Sequence, residues 1–102
     1  MEFDIILRCS APVWCYKMKL LEVDWKYDDV LDSKAEKCTT NKSEQFISKG
    51  DDDNDGVFDN TMEVVVRVES NCTGRWVRKE SQEYIVDIYG NTYKKNVNLK
   101  LE

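Results

Sequence analysis

The chain has no histidine. Serine–histidine and cysteine–histidine nucleophile pairs are excluded, because each needs an imidazole to take the nucleophile's proton. A carboxylate pair could do acid–base work, but no stretch suggests the dry pocket that would raise one of the two pKa values. No catalytic residue is assigned, and the chain is read as a non-enzyme. Without histidine or a Cys-x-x-Cys pair, a zinc site is disfavoured. No apolar run approaches the ~18 residues that cross a bilayer, and no signal-peptide pattern opens the chain, which is read as a mature domain with any leader removed. No window carries a long 3.6-residue period, and no internal repeat is present. A dominant basic face is missing as well. Lysine and arginine number 15 against 20 aspartates and glutamates, a net charge of −5, which argues against nucleic acid as a direct partner.

What is present has period two. At 102 residues the chain makes a single domain, residues 1–102, able to bury roughly 60–70% of its unfolded surface in one modest core. Phe3-Asp4-Ile5-Ile6-Leu7-Arg8 reads as a first strand. Trp14, Tyr16, Met18 and Leu20 then alternate with Cys15, Lys17 and Lys19, giving a strand with one wet face. Residues 31–38 form a weak, polar strand, and Gln45-Phe46-Ile47 a short one. The strongest strand runs from Met62 to Glu69, with Met62, Val64, Val66 and Val68 facing one way. Residues 83–89 make another, 75–79 either pair at an edge or stay irregular, and Val97, Leu99 and Leu101 mark the last. About seven short strands separated by turn signals predict an antiparallel β-sandwich or an open β-barrel.

Cys9, Cys15, Cys38 and Cys72 are an even set in a short chain, which reads as two disulfides and a secreted, extracellular protein. The triplets Asn41-Lys42-Ser43 and Asn71-Cys72-Thr73 are glycosylation sequons, at Asn41 and Asn71, that agree with it. If successive strands reverse direction, all four cysteines fall at one end of the sandwich. The two acidic turns, residues 24–32 and 51–59, then fall at the other.

The second of these turns, Asp51-Asp52-Asp53-Asn54-Asp55-Gly56-Val57-Phe58-Asp59, packs five carboxylates into nine residues. Charges about 5 Å apart at an effective dielectric near 20 repel by roughly 3 kcal/mol per pair when held rigidly. The run is either a solvated turn, for which Asp, Asn and Gly are ordinary chemistry, or a loop that takes a cation. Asp51-x-Asp53-x-Asp55-Gly56 matches the first half of an EF-hand calcium loop, and Asp59 falls at its ninth position. Met62 stands where the twelfth-position glutamate belongs, and no helices flank the loop, so an EF-hand is excluded. A looser calcium site remains, built from Asp51, Asp53, Asp55 and Asp59 and completed from the other acidic turn by Asp24, Asp28 or Asp29, with Asp28 taken as the ligand. In plan it resembles the cation sites of calcium-dependent membrane-binding C2 sandwiches.

Several stretches together resemble the nematode transthyretin-like family of secreted proteins. They are Leu7-Arg8-Cys9 before a Pro12-containing turn, Met18-Lys19-Leu20-Leu21-Glu22-Val23-Asp24, Asp28-Asp29-Val30-Leu31-Asp32, the strand ending at Cys72, and Val97-Asn98-Leu99-Lys100-Leu101. The chain departs from the family pattern at Ser10-Ala11-Pro12-Val13, at Thr39-Thr40-Asn41-Lys42 and at Ser70-Asn71-Cys72, which lacks the family's histidine. The resemblance implies a transthyretin-type β-sandwich with a Cys9–Cys72 disulfide, and with it Cys15–Cys38 as the second. It also implies a role known within the family, an extracellular bridge that binds phosphatidylserine on apoptotic cells and docks to a phagocyte engulfment receptor during clearance. The related hydroxyisourate hydrolases use histidines and a C-terminal Tyr-Arg-Gly-Ser, and the chain has neither.

Taken together these readings make a glycosylated adaptor that binds phosphatidylserine through calcium held by the acidic loops. Asp52 and Phe58 face the anionic phospholipid at the membrane surface, and a receptor ectodomain binds elsewhere. The alternatives are an extracellular protein-binding effector and a carrier of a small hydrophobic ligand. Arg75, Arg78, Lys79, Lys94 and Lys95, around Trp76 and Tyr93, read as a solvated face or as a headgroup or receptor patch. A terminal strand left at a sheet edge could pair with a second copy in a homodimer.

Overall fold

The computed structural model describes residues 1–23, 28–50, 61–87 and 93–102. Eight strands follow one another: β1 (Glu2–Arg8), β2 (Trp14–Glu22), β3 (Asp29–Thr39), β4 (Ser43–Lys49), β5 (Thr61–Ser70), β6 (Val77–Glu80), β7 (Tyr84–Asp87) and β8 (Lys94–Lys100). They form two sheets, a small one in the order β4-β1-β8 and a large one in the order β3-β2-β5, with β6 and β7 both on the far side of β5. Among the described residues the sheets do not join into a closed barrel, and the architecture is a β-sandwich.

Alternation decides which face is inside. Phe3, Ile5 and Leu7 of β1, Trp14, Tyr16, Met18 and Leu20 of β2, and Met62, Val64, Val66 and Val68 of β5 make one buried cluster between the sheets. Lys17 and Lys19, on the opposite face of β2, are exposed. Two aromatic groups sit within the core. Tyr16 lies 5.2 Å from Trp14 and 5.9 Å from Phe46 between ring centroids, and Phe3 lies 5.6 Å from Tyr84 and 5.8 Å from Tyr93.

Strand β3 looked weak in the sequence because its inward positions lie at an open edge of the sandwich. There polar pairs join the sheets: Ser48 of β4 donates to Asp32 at 2.6 Å, and Lys37 reaches Glu44 at 2.8 Å. On the opposite edge Lys79 of β6 donates to the Lys100 carbonyl at 2.6 Å.

The direction of the chain departs from strict alternation in one place. β6 and β7 both run antiparallel to β5, on Arg67–Ser70 and Thr61–Val64 respectively. Between them Ser81 takes over the ladder, donating its N–H to the Val66 carbonyl and accepting the Val66 N–H on its hydroxyl, each at 2.9 Å. The chain therefore makes no reversal from β6 to β7, and β8 returns parallel to β1. Among the described strands the β1–β8 pair is the exception to antiparallel pairing, and the strand at 83–89 is described only as far as Asp87.

Candidate functional site

The pairing directions give the sandwich two unlike ends. β1, β3 and β5 finish at the end where β2 opens, and Cys9–Cys72 and Cys15–Cys38 are both formed there. β2 and β4 finish at the other end, where β3 and β5 begin, so both acidic connections leave from it. The four cysteines thus share one end, as strand alternation up to β5 leads one to expect, and the β6–β7 segment, which keeps a single direction, comes after all four.

At the loop-bearing end, Met1 and Gly50 exchange backbone hydrogen bonds at 3.1 and 3.2 Å, and Val23 donates to the Glu63 carbonyl at 2.8 Å. Gly50 sits in close quarters: a Cβ there would lie 3.2 Å from Leu31 Cβ and 3.3 Å from Leu20 Cδ2. Of the proposed calcium ligands only Asp28 is among the described residues. Its carboxylate accepts Arg67 Nη2 at 3.1 Å, while Arg67 Nε donates to Glu80. Glu80 first, and then Asp28, hold the Arg67 pKa above its ordinary value. Asp51, Asp52, Asp53, Asp55, Phe58 and Asp59 lie outside the described residues. Burial, and after it Tyr84, raises the Tyr93 pKa.

At the stapled end, Cys9–Cys72 is buried and ties the small sheet to the turn that ends β5, whereas Cys15–Cys38 bridges directly opposed residues of β2 and β3, with Cys38 exposed. The β5 turn closes with Gly74 N–H on the Asn71 carbonyl at 2.9 Å, and Gly74 takes φ +96°, a conformation that favours glycine. Both sequon asparagines have structural partners. Asn71 Oδ1 accepts the Cys15 N–H at 2.7 Å, and Asn41 Nδ2 donates to Glu44 at 3.0 Å.

Glu44 is the residue whose importance the sequence did not signal. It is buried, and besides Lys37 and Asn41 it accepts the Tyr16 hydroxyl at 3.2 Å. The Asn41 and Lys37 hydrogen bonds lower its pKa against the opposing effect of burial. Burial, and then Glu44, push the Tyr16 phenol up to about 12. Its only sequence cue was a carboxylate at an inward-facing position of a strand.

The basic C-terminal third divides among separate tasks. Lys79 caps carbonyls of the last residues, Lys95 lies 6.0 Å from the Tyr84 ring, and Arg78 stands in register with Glu69. Trp76 is half exposed, with Lys17 at 5.6 Å from its ring. Among the described residues, the one grouping of metal-type donors is Cys15, Glu36 and Cys38, and there the two sulfurs are bonded to each other. Among the described residues no helix is long and apolar enough to cross a membrane. Comparison with family models, curated proteins and solved structures gave no match for the chain.

Proposed function

We propose that the protein is a secreted, non-enzymatic bridging module of transthyretin-like type. Calcium held by carboxylates of residues 51–59 joins it to phosphatidylserine on apoptotic cells, and another surface docks to a phagocyte receptor ectodomain. The observation that carries the reading is the placement of both acidic connections at one end, opposite two disulfides that suit an oxidising, extracellular setting. Calcium would neutralise the crowded carboxylates and bridge them to the lipid's phosphate and carboxylate, which lets an acidic protein hold an anionic surface. Extracellular modules of this kind hold calcium at about 10⁻⁴ to 10⁻³ M. Asp28, engaged by Arg67, would join only by exchanging that partner for the cation. The test is co-sedimentation with phosphatidylserine vesicles, with calcium and with chelator, for the wild type and for Asp53→Ala/Asp55→Ala. Binding that ignores both chelator and substitutions overturns the mechanism.

A second reading rests on β8, which is an edge strand of the small sheet. A protein-binding effector could add a partner strand there. Calcium-independent binding to a receptor ectodomain, indifferent to the acidic loop, would favour it.

A further inference from the structure

The outer face of the small sheet has an electrostatic character that the net charge of −5 conceals. Because Phe3, Ile5 and Leu7 point into the core, Glu2, Asp4, Ile6 and Arg8 point outward, and the register places Lys94, Asn96, Asn98 and Lys100 beside them. At the stapled end of this face Arg8 and Lys100 are direct neighbours on adjacent strands, about 4.8 Å apart between backbones. Like charges so placed are destabilising. Lys42 joins them around a depression of about 300 Å³, and none of the three makes an ion pair among the described residues. Lysines on β8 alone would be explained as protection of an edge strand. Arg8 is on the central strand, where edge protection has no bearing.

The depression already holds a carboxylate. Glu102 accepts the Ser10 N–H at 3.0 Å and the Ser10 hydroxyl, which shows the donors an external oxyanion would meet. Beyond it, Asn96 and Asn98 are exposed, and Gln45 donates to Asp4. The face continues to Lys94 at its far end, six residues and about 20 Å from Lys100. The large sheet's outer face differs, since there Lys17 and Arg78 each stand in register with Glu69.

We propose that this face binds a sulfated polysaccharide, with one sulfate group seated among Arg8, Lys42, Lys100 and Ser10. The rest of the chain lies along the side-chain amides of β8. A membrane is the poorer fit, because the clustered cations line a recess at one end of the face, and between them and Lys94 strand β8 presents only the side-chain amides of Asn96 and Asn98 outward. Glu102 acts as a tethered competitor that the sulfate displaces.

The experiment is retention on immobilised heparin in the presence of EDTA, which keeps it independent of calcium and of the lipid-binding proposal. Wild type should be retained at about 0.15 M salt, and Arg8→Ala/Lys42→Ala/Lys100→Ala should elute far earlier. The slope of log affinity against log salt should fall by about one per cation removed, as counterion release requires. Glu102→Gln should elute later than wild type, and Lys17→Ala/Lys19→Ala on the other sheet should not shift. Lys42→Gln/Lys100→Gln, with an unchanged thermal melt, serves as the second variant should the triple one fail to fold. The proposal is overturned by lack of retention, by equal losses in the two lysine pairs, or by calcium-free binding to phosphatidylserine vesicles without binding to heparin.

Discussion

The two ends of the sandwich are held together by different means. At the stapled end the chain is tied covalently twice, and polar side chains finish the work: Asn71 on Cys15, Asn41 and Tyr16 on Glu44, and the Trp14 indole on the Asn41 carbonyl at 2.7 Å. At the loop-bearing end the described contacts are reciprocal backbone bonds, the close approach of Gly50, and the packing of Phe3 with Tyr84 and Tyr93. A small domain has little core with which to resist unfolding. Concentrating covalent ties at one end leaves the sequence at the other free to serve something besides stability.

The largest expected effect breaks the stapled end. In the loop-entropy account, Cys9→Ala/Cys72→Ala removes a tie across 63 residues and costs about 4 kcal/mol, against about 3.5 for Cys15→Ala/Cys38→Ala across 23. Thermal denaturation of both variants checks the order. The two bonds should rank the other way in accessibility. Cys38 is exposed, whereas Cys9 and Cys72 are buried, so mild thiol treatment followed by alkylation and mass mapping should label Cys15 and Cys38 first. Labelling of Cys9 and Cys72 first would contradict the described burial.

Next comes Glu44→Ala, expected to cost about 1–3 kcal/mol, because it leaves the Tyr16 hydroxyl, the Asn41 amide and Lys37 without their acceptor. The pH dependence sharpens this. The folded pKa of Glu44 lies below its ordinary 4.5, so its contribution is present above that pH and is lost as pH falls through the folded value. The stability gap between wild type and Glu44→Gln, measured by denaturant melts, should therefore narrow below about pH 4.5. Tyr16 works in the opposite sense: its raised pKa gives stability that is complete below 10 and is lost as pH climbs to about 12.

Which parts were legible in the sequence follows from the same contrast. β2 and β5 could be read because each buries one full face, so apolar residues recur at every second position. β3 read as weak because it is an edge strand whose inward side meets β4 through Asp32 and Lys37 rather than through apolar groups. The β6–β7 interruption turns on the side chain of Ser81 substituting for backbone, which no periodicity reports. Glu44 joins three segments through one carboxylate, a relation of folded neighbours. The Cys9–Cys72 pairing was implied by family resemblance, and residue spacing alone left it open. Of the calcium site, only the common end of the two acidic connections and the engagement of Asp28 by Arg67 fall on described residues.

At the loop-bearing end the effects should be smaller. Gly50→Ala places a methyl 3.2 Å from Leu31 Cβ and 3.3 Å from Leu20 Cδ2, and the neighbours must give way. A loss of about 1 kcal/mol in a denaturant melt is expected, at the lower bound for overpacking because Leu20 can turn its side chain. An unchanged or raised midpoint would mean that this end is looser than the described contacts imply.

The smallest effect on stability, and the one that bears most on function, belongs to Asp53→Ala/Asp55→Ala. Without metal, removing two of five crowded carboxylates relieves repulsion and breaks no described contact, so the melt should move by no more than about 0.5 kcal/mol, and upward if at all. With millimolar calcium the sign should reverse: wild type gains stability through a ligand that binds only the folded state, while the variant gains less. Paired melts in chelator and in calcium, repeated with phosphatidylserine vesicles, separate three cases. A calcium-induced gain in wild type alone supports a preformed cation site. A gain that appears only with vesicles means that the lipid supplies missing ligands. Identical behaviour of wild type and variant under every condition assigns the acidic stretch to solvation, and leaves the edge of β8 and the outer face of the small sheet as the surfaces on which recognition must rest.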